Sequence, residues 1–292
     1  MFYLVAAVLI WASAFIAAKF SYSMFDPALT VMCRLILSAL LVLPTFFRSY
    51  QKVPVQYRWQ MWGLGLLNFP IVLLLQFIGV RYTSVSSGVT MLGTEPLIVA
   101  LLGHVFFQKS ARLLDWLLGI IALIGIALVM LGAKSTDEVT ILGCMLVLLG
   151  SIAFSFSIHL AQSAMKAIDP KAYTDVIIMT GAITCIPFSL LLVQDWHVQI
   201  HSEGIFAILY LSIGCTWLAY RLWSKGLQVS TANTASILTT LEPVFGVLLA
   251  LLLLDEHLTL VTFFGMLLVI LAAGTSVLSP MLIKYLKNKM AL

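Results

Sequence analysis

Charge is what this chain has least of. Only 10% of its 292 residues are charged, against about 25% in a soluble globular domain. So few polar groups cannot cover a surface that faces water, which makes lipid the solvent. A hydrophobic fraction of 62% and a mean hydropathy of +1.08 agree. No polar stretch is long enough for a soluble catalytic, ATPase or receptor domain. A phosphate-cradling glycine loop ending in Lys-Ser/Thr, a His-Glu-x-x-His pair and a Gly-x-Ser-x-Gly elbow are all missing. That excludes ATP as the energy source and leaves no hydrolase or metal signature. The expectation is a protein that is no enzyme and that carries no cofactor and no metal. Cysteine is also scarce. Cys33, Cys144, Cys185 and Cys215 all fall in apolar runs, where they are expected to act as small hydrophobes rather than as a disulfide set.

What is abundant is apolar runs. A span needs about 20 apolar residues, and ten candidates emerge: 2–24, 28–47, 61–80, 83–107, 113–132, 140–165, 173–193, 204–224, 230–254 and 259–280. The first run starts at Phe2 without a basic leader, so it is expected to stay as a helix rather than be cleaved as a signal. The cuts at 80–83 and 225–230 are the shortest. With the N-terminus in the cytoplasm, the inner loops and tail hold Arg48, Lys52, Arg58, Lys109, Arg112, Lys166, Lys171, Lys225, Lys284, Lys287 and Lys289, which is 11 of the 16 basic residues. The outer loops hold Lys19, Arg81 and Lys134, and Arg34 and Arg221 lie inside spans. The bias of 11 to 3 follows the positive-inside rule and places both termini in the cytoplasm. It also accounts for the net charge of +4 without nucleic acid.

The chain repeats itself. Asp26-Pro27 recurs as Asp169-Pro170 and Pro44 as Pro187, both 143 residues on, and the same offset aligns Trp11 with Phe154. Gly79 matches Gly226, and Glu95-Pro96 matches Glu242-Pro243, at an offset of 147. Each copy holds five spans, so the second enters the membrane from the opposite side. Inverted repeats are a common architecture of secondary transporters, with the substrate site near the midplane between the halves. The domain reading is a first repeat over 1–134, a second over 135–280 and a basic cytoplasmic tail over 281–292. The fold class is all-α: a polytopic membrane protein of ten transmembrane helices in two inverted five-helix repeats.

Trp11-Ala12-Ser13-Ala14-Phe15 with Lys19, Arg34, Lys225-Gly226-Leu227-Gln228, Leu241-Glu242-Pro243-Val244-Phe245 and Leu252-Leu253-Leu254-Asp255-Glu256 carry a resemblance to the drug/metabolite transporter superfamily, specifically its EamA-type members. The resemblance covers essentially the whole chain. It implies export of small metabolites, often amino acids, from the cytoplasm, although some members import. One departure is Gln108-Lys109, which stands where an acidic residue is usual after the fourth span.

A glutamate at the bilayer centre costs about 2.5–3.5 kcal/mol on the translocon scale, so Glu95 and Glu242 lead the candidates. Each could exchange a proton or accept a substrate amine. The structural alternative is that each caps backbone donors freed beside its proline, or pairs with Arg34. Arg34 could equally bind a substrate carboxylate, and the ion pair is preferred. Arg221, near a span end, is expected to snorkel as an anchor. Ser151, Ser155, His159, Gln162 and Lys166 share one face of span six, with spacings of 4, 4, 3 and 4, and are expected to line a water-filled path. The alternative is hydrogen bonding between helices. His159 is the second titrating candidate, and His104, among Leu, Val and Phe, is read as packed or interfacial. Trp11, Tyr82, Tyr220 and Trp223 could stack on a substrate, with Trp11 and Tyr220 preferred. Asn233, Ser236 and Thr240 share a face of span nine. The candidate substrate-binding or gating set is therefore Trp11, Ser13, Arg34, Glu95, His159, Tyr220, Asn233 and Glu242, with Pro96 and Pro243 as helix kinks.

The function expected is a secondary transporter of the cell (inner) membrane that moves a small metabolite, such as an amino acid, outward by alternating access. Proton coupling is an option, and the partners are a small-molecule substrate and the lipid bilayer, with the protein a monomer or homodimer. Import of a nutrient or nucleoside-like metabolite is the rival within transport. A flippase, a structural subunit and an intramembrane enzyme are the rivals from other classes.

Overall fold

The computed structural model describes residues 2–108, 113–133, 140–230, 232, 235, 238–254, 258–272 and 274–275. The described residues form ten helices: α1 (Phe2–Ser21), α2 (Pro27–Lys52), α3 (Val55–Arg81), α4 (Val85–Phe107), α5 (Leu113–Ala133), α6 (Ile141–Ala164), α7 (Pro170–Leu192), α8 (Ser202–Gln228), α9 (Leu241–Leu253) and α10 (Leu260–Ala272). Seven of them, α1–α4 and α6–α8, are long and apolar enough to cross a membrane, and the rest contribute shorter apolar stretches. Large apolar side chains such as Leu40, Phe47, Ile120 and Leu123 face outward, as they do where hydrocarbon is the solvent. The four cysteines are free.

Two boundaries differ from the sequence expectation. Helix α2 continues past 47 to Lys52, and α3 starts at Val55 with a single 3₁₀ turn rather than at 61. Hydropathy ends at the bilayer edge, but Arg48, Gln51, Lys52, Gln56 and Arg58 are good or tolerable helix formers that carry the backbone coil into the headgroup layer.

The recurring Asp-Pro pairs turn out to start helices. Asp26 Oδ1 accepts from the Ala28 amide at 2.9 Å, and Asp169 Oδ2 accepts from the Lys171 and Ala172 amides at 3.0 and 3.2 Å. In both cases proline occupies the first turn, where its missing N–H costs nothing. The two second helices, α2 and α7, make the most extensive pairing in the bundle. The outer pairings are exchanged between repeats: α3 packs on α6, the first helix of the second copy, and α8 packs on α1, the first helix of the first copy. The matched glycines sit at these crossings. A Cβ on Gly79 would lie 2.8 Å from the Gly143 carbonyl oxygen, and one on Gly226 would run into the Leu4 side chain and lie 3.1 Å from the Leu4 backbone nitrogen. Only glycine lets the backbones approach so closely. Helices α4 and α9 pair in the same reciprocal way, as do α5 and α10 through Gly125 and Gly265.

The two ends of the bundle are defined by loop contacts. At one end Lys19 Nζ donates to Thr83 O at 2.9 Å, the Gln199 amide to Met24 O at 3.2 Å and the Thr140 amide to Tyr82 O at 2.9 Å. At the other, Gln162 Nε2 donates to Ser230 O at 3.0 Å. They are called below the Asp26 end and the Asp169 end.

Candidate functional site

Helix α4 is interrupted at Gly93-Thr94, and a new half-helix begins at Glu95 with Pro96 in its first turn. Before α9 the matching interruption falls at Thr239-Thr240, and Glu242 and Pro243 lie in the first turn of α9 itself. The prolines are therefore not mid-helix kinks as expected. Each sits in the first turn after a break, where its fixed φ suits the start of a helix. Thr94 Oγ1 donates to Met91 O at 2.7 Å and so takes up a carbonyl beside the first break. Each glutamate lies at the positive end of its half-helix, which offsets part of the cost of its charge.

The breaks lie against each other. A Cβ on Gly93 would meet Pro243 at 3.3 Å. Glu95 and Glu242 are 2% and 8% exposed and close enough to repel one another when both are ionised, and Thr239 hydrogen-bonds Glu95. Both line a cavity of about 50 Å³ together with Trp11, Phe15, Arg34, Gln76 and Tyr220. Such a volume holds a few waters, so the site must widen to take a metabolite. Three pairs of lining residues are related by the repeat offsets: Glu95 with Glu242, Leu73 with Tyr220, and Trp11 with Phe154. The last pair meets edge to face, with ring centroids 5.8 Å apart. The cavity therefore sits on the axis that relates the two repeats.

Both repeats carry a π-helical stretch where they approach the cavity: Leu67–Ile71 in α3, around Pro70, and Tyr210–Leu218 in α8. Such bulges are frequent at functional sites. The α8 stretch positions two site residues. Trp11 Nε1 donates to Cys215 O at 2.8 Å, and Arg34 Nε donates to Thr216 Oγ1 at 2.9 Å. Trp11 also meets Tyr220 edge to face and Trp223 at a tilt, with ring centroids 5.1 and 5.2 Å apart. Arg34 is 2% exposed, and its guanidinium lies 5.0 Å from the centre of the Phe77 ring. The expected ion pair with a glutamate is absent among the described residues. Arg34 Nη1 and Glu95 Oε2 are both buried without a hydrogen-bond partner among the described residues.

Five of the eight candidates, Trp11, Arg34, Glu95, Tyr220 and Glu242, thus converge on one cavity. Ser13 does not reach it. Its hydroxyl contacts Tyr210 Oη at 2.7 Å on a partly exposed face. His159 does not reach it either, because its Nε2 lies 2.9 Å from Val99 O and its ring stacks on Phe107 at 4.6 Å. The polar stripe of α6 is a correction of the same kind. Ser151 bonds back to Val147 O, Ser155 is buried outside the cavity lining, His159 bonds to α4, Gln162 bonds to the loop residue Ser230, Lys166 is exposed, and the α6 residue in the cavity is Phe154. Tyr82 bonds Gln194 at the surface, and His104 meets Trp116 edge-on at the periphery. Asn233 and Ser236 lie outside the described residues.

Sequence reasoning missed Gln76 and the phenylalanines of the cavity wall, whose apolar patterning looks like ordinary core. It also missed Asp175 and misplaced Arg221. Asp175 has no exposed surface. It accepts from Thr45 Oγ1 at 2.8 Å, Ser49 Oγ at 2.9 Å and Arg221 Nη2 at 2.7 Å. Arg221 therefore does not snorkel. It is held by a buried acid that ties α2, α7 and α8 together at the Asp169 end. Among the described residues no group of three or more His, Cys, Asp or Glu is placed to hold a metal ion.

A bundle of reciprocally packed repeats, with interrupted helices meeting around a small internal cavity, defines a membrane transporter and not an enzyme. Comparison with known proteins agrees. The EamA-like transporter family matches residues 1–131 and 141–278, and the chain belongs to that family. An uncharacterized transporter of Haemophilus influenzae is 43% identical over 141 residues, covering 47% of this chain and 83% of that protein. One from Archaeoglobus fulgidus is 27% identical over 259 residues, covering 87% and 88%. A crystal structure superposes with a TM-score of 0.67 at 15% identity over 95% of this chain and 96% of its own, which shows a shared fold.

Proposed function

We propose that the protein exports small zwitterionic metabolites of the amino-acid class from the cytoplasm by alternating access. The observation that carries this reading is the pairing of unmet needs in one cavity: a buried guanidinium nitrogen of Arg34 and a buried carboxyl oxygen of Glu95, neither with a partner among the described residues. A substrate bearing a carboxylate and an ammonium group satisfies both, and each bond is charge-assisted. Trp11, Phe15 and Tyr220 supply an apolar and cation-tolerant wall for the side chain. The orientation rests on the basic residues, which put the Asp169 end in the cytoplasm. Glu95 and Glu242 share this cavity, and exchange of a proton for substrate at these two acids couples outward movement to the proton gradient.

The test is counterflow in proteoliposomes with labelled amino acids, comparing wild type with Glu95→Gln and Glu242→Gln, with and without an imposed pH gradient. A gradient-dependent flux that loses its dependence in either variant supports the mechanism. Gradient-independent exchange preserved in both variants leaves the glutamates as structural groups.

A further inference from the structure

A second cavity, of about 190 Å³, opens at the Asp169 end between the end of α2 and the start of α7. Arg48, Lys52 and Lys171 line it, together with Thr45, Ser49 and the capping residue Asp169. The three cations are exposed, and none has a hydrogen-bonding or ion-pairing partner for its side chain among the described residues. Asp169 is turned instead to the amides of Lys171 and Ala172. Beside this cavity Leu43 and Phe47 face outward at 45% and 69% exposure, so an acyl chain would lie directly against the headgroup position. Basic pockets between transmembrane helices on the cytoplasmic side suit anionic headgroups.

We propose that this cavity is a binding site for a phosphate monoanion or phosphodiester, taken from an anionic phospholipid of the inner leaflet. Arg48, Lys52 and Lys171 contact the phosphate. The site also touches the Asp175 cluster that ties α2, α7 and α8 together: Thr45 and Ser49, which line it, are the donors that hold Asp175. A phosphate seated here competes for those hydroxyl protons, loosens Asp175 from α2 and favours opening of this end.

Native mass spectrometry of the full chain with phosphatidylglycerol and with phosphatidylcholine tests the proposal. The variant Lys52→Gln/Lys171→Gln is compared with the charge-matched Lys166→Gln/Lys225→Gln, whose cations lie outside the cavity; matched melting curves check folding. At about 1 kcal/mol per cation, loss of two weakens phosphatidylglycerol binding roughly thirtyfold in the first variant only. Radiolabelled inorganic phosphate, added to protein in phosphatidylcholine nanodiscs, separates the sources. No saturable phosphate binding alongside retained phosphatidylglycerol assigns the lipid, whereas saturable binding lost in Lys52→Gln/Lys171→Gln assigns the free ion to the same cations. Equal weakening in both variants, or none in either, overturns the site.

Discussion

At the Asp26 end of the bundle Arg81, 40% exposed, reaches the 3% exposed Asp26 at 2.8 Å; at the other end Arg221, 24% exposed, reaches Asp175 at 2.7 Å, and that carboxylate has no exposed surface. Asp26 has a second role as the cap of α2, and water reaches its ion pair from the Arg81 side. Asp175 caps nothing and receives three donors from two other helices. The same residue types at similar distances therefore do different work. The Asp26 pair trims a helix start, whereas the Asp175 cluster clamps α7 to α2 and α8. Parting those helices strands a buried charge, so the bundle opens at lower cost at the Asp26 end.

The largest effect is expected from breaking the buried clamp. Arg221→Ala leaves the buried Asp175 carboxyl short of its cation, and should lower stability by about 3–5 kcal/mol, read as a fall in the unfolding midpoint of the purified protein. Next come the neutral donors. Thr45→Val and Ser49→Ala each remove a hydrogen bond to a charged acceptor and should cost about 1.5–3 kcal/mol, with non-additivity in the double variant because both serve the same oxygen. Arg81→Gln, at the wet end, should cost no more than about 1 kcal/mol, and raising salt should shrink even that. If Arg81→Gln proves as damaging as Arg221→Ala in the same melts, the contrast between the ends fails.

What the sequence made legible follows from local rules and from repetition. Asp-Pro spacing, the doubled Glu-Pro and the matched glycines mark helix starts, breaks and crossings that each repeat needs by itself. Trp11 and Tyr220 were readable as cavity residues because bulky amphipathic rings in mid-span have few other uses. What stayed hidden depends on partners far along the chain. Asp175 and Arg221 lie 46 residues apart, and only the packing of α7 on α8 shows that they meet. The α6 stripe misled for a related reason: a polar face in a membrane needs hydrogen-bond partners, and a neighbouring helix supplies them as well as water does. The π-helical stretches were invisible because their widened turns leave no periodicity in a uniformly apolar run.

The most direct test of the central claim, that Arg34 and Glu95 read the two ends of a zwitterion, is competition for uptake in proteoliposomes. A transported amino acid is set against its decarboxylated amine and its deaminated acid, in wild type, Arg34→Gln and Glu95→Gln. The account predicts that wild type prefers the zwitterion to both analogues. Arg34→Gln should lose discrimination against the amine alone, and Glu95→Gln should lose discrimination against the acid alone. Equal loss against both analogues in both variants, or unchanged discrimination in either, contradicts it.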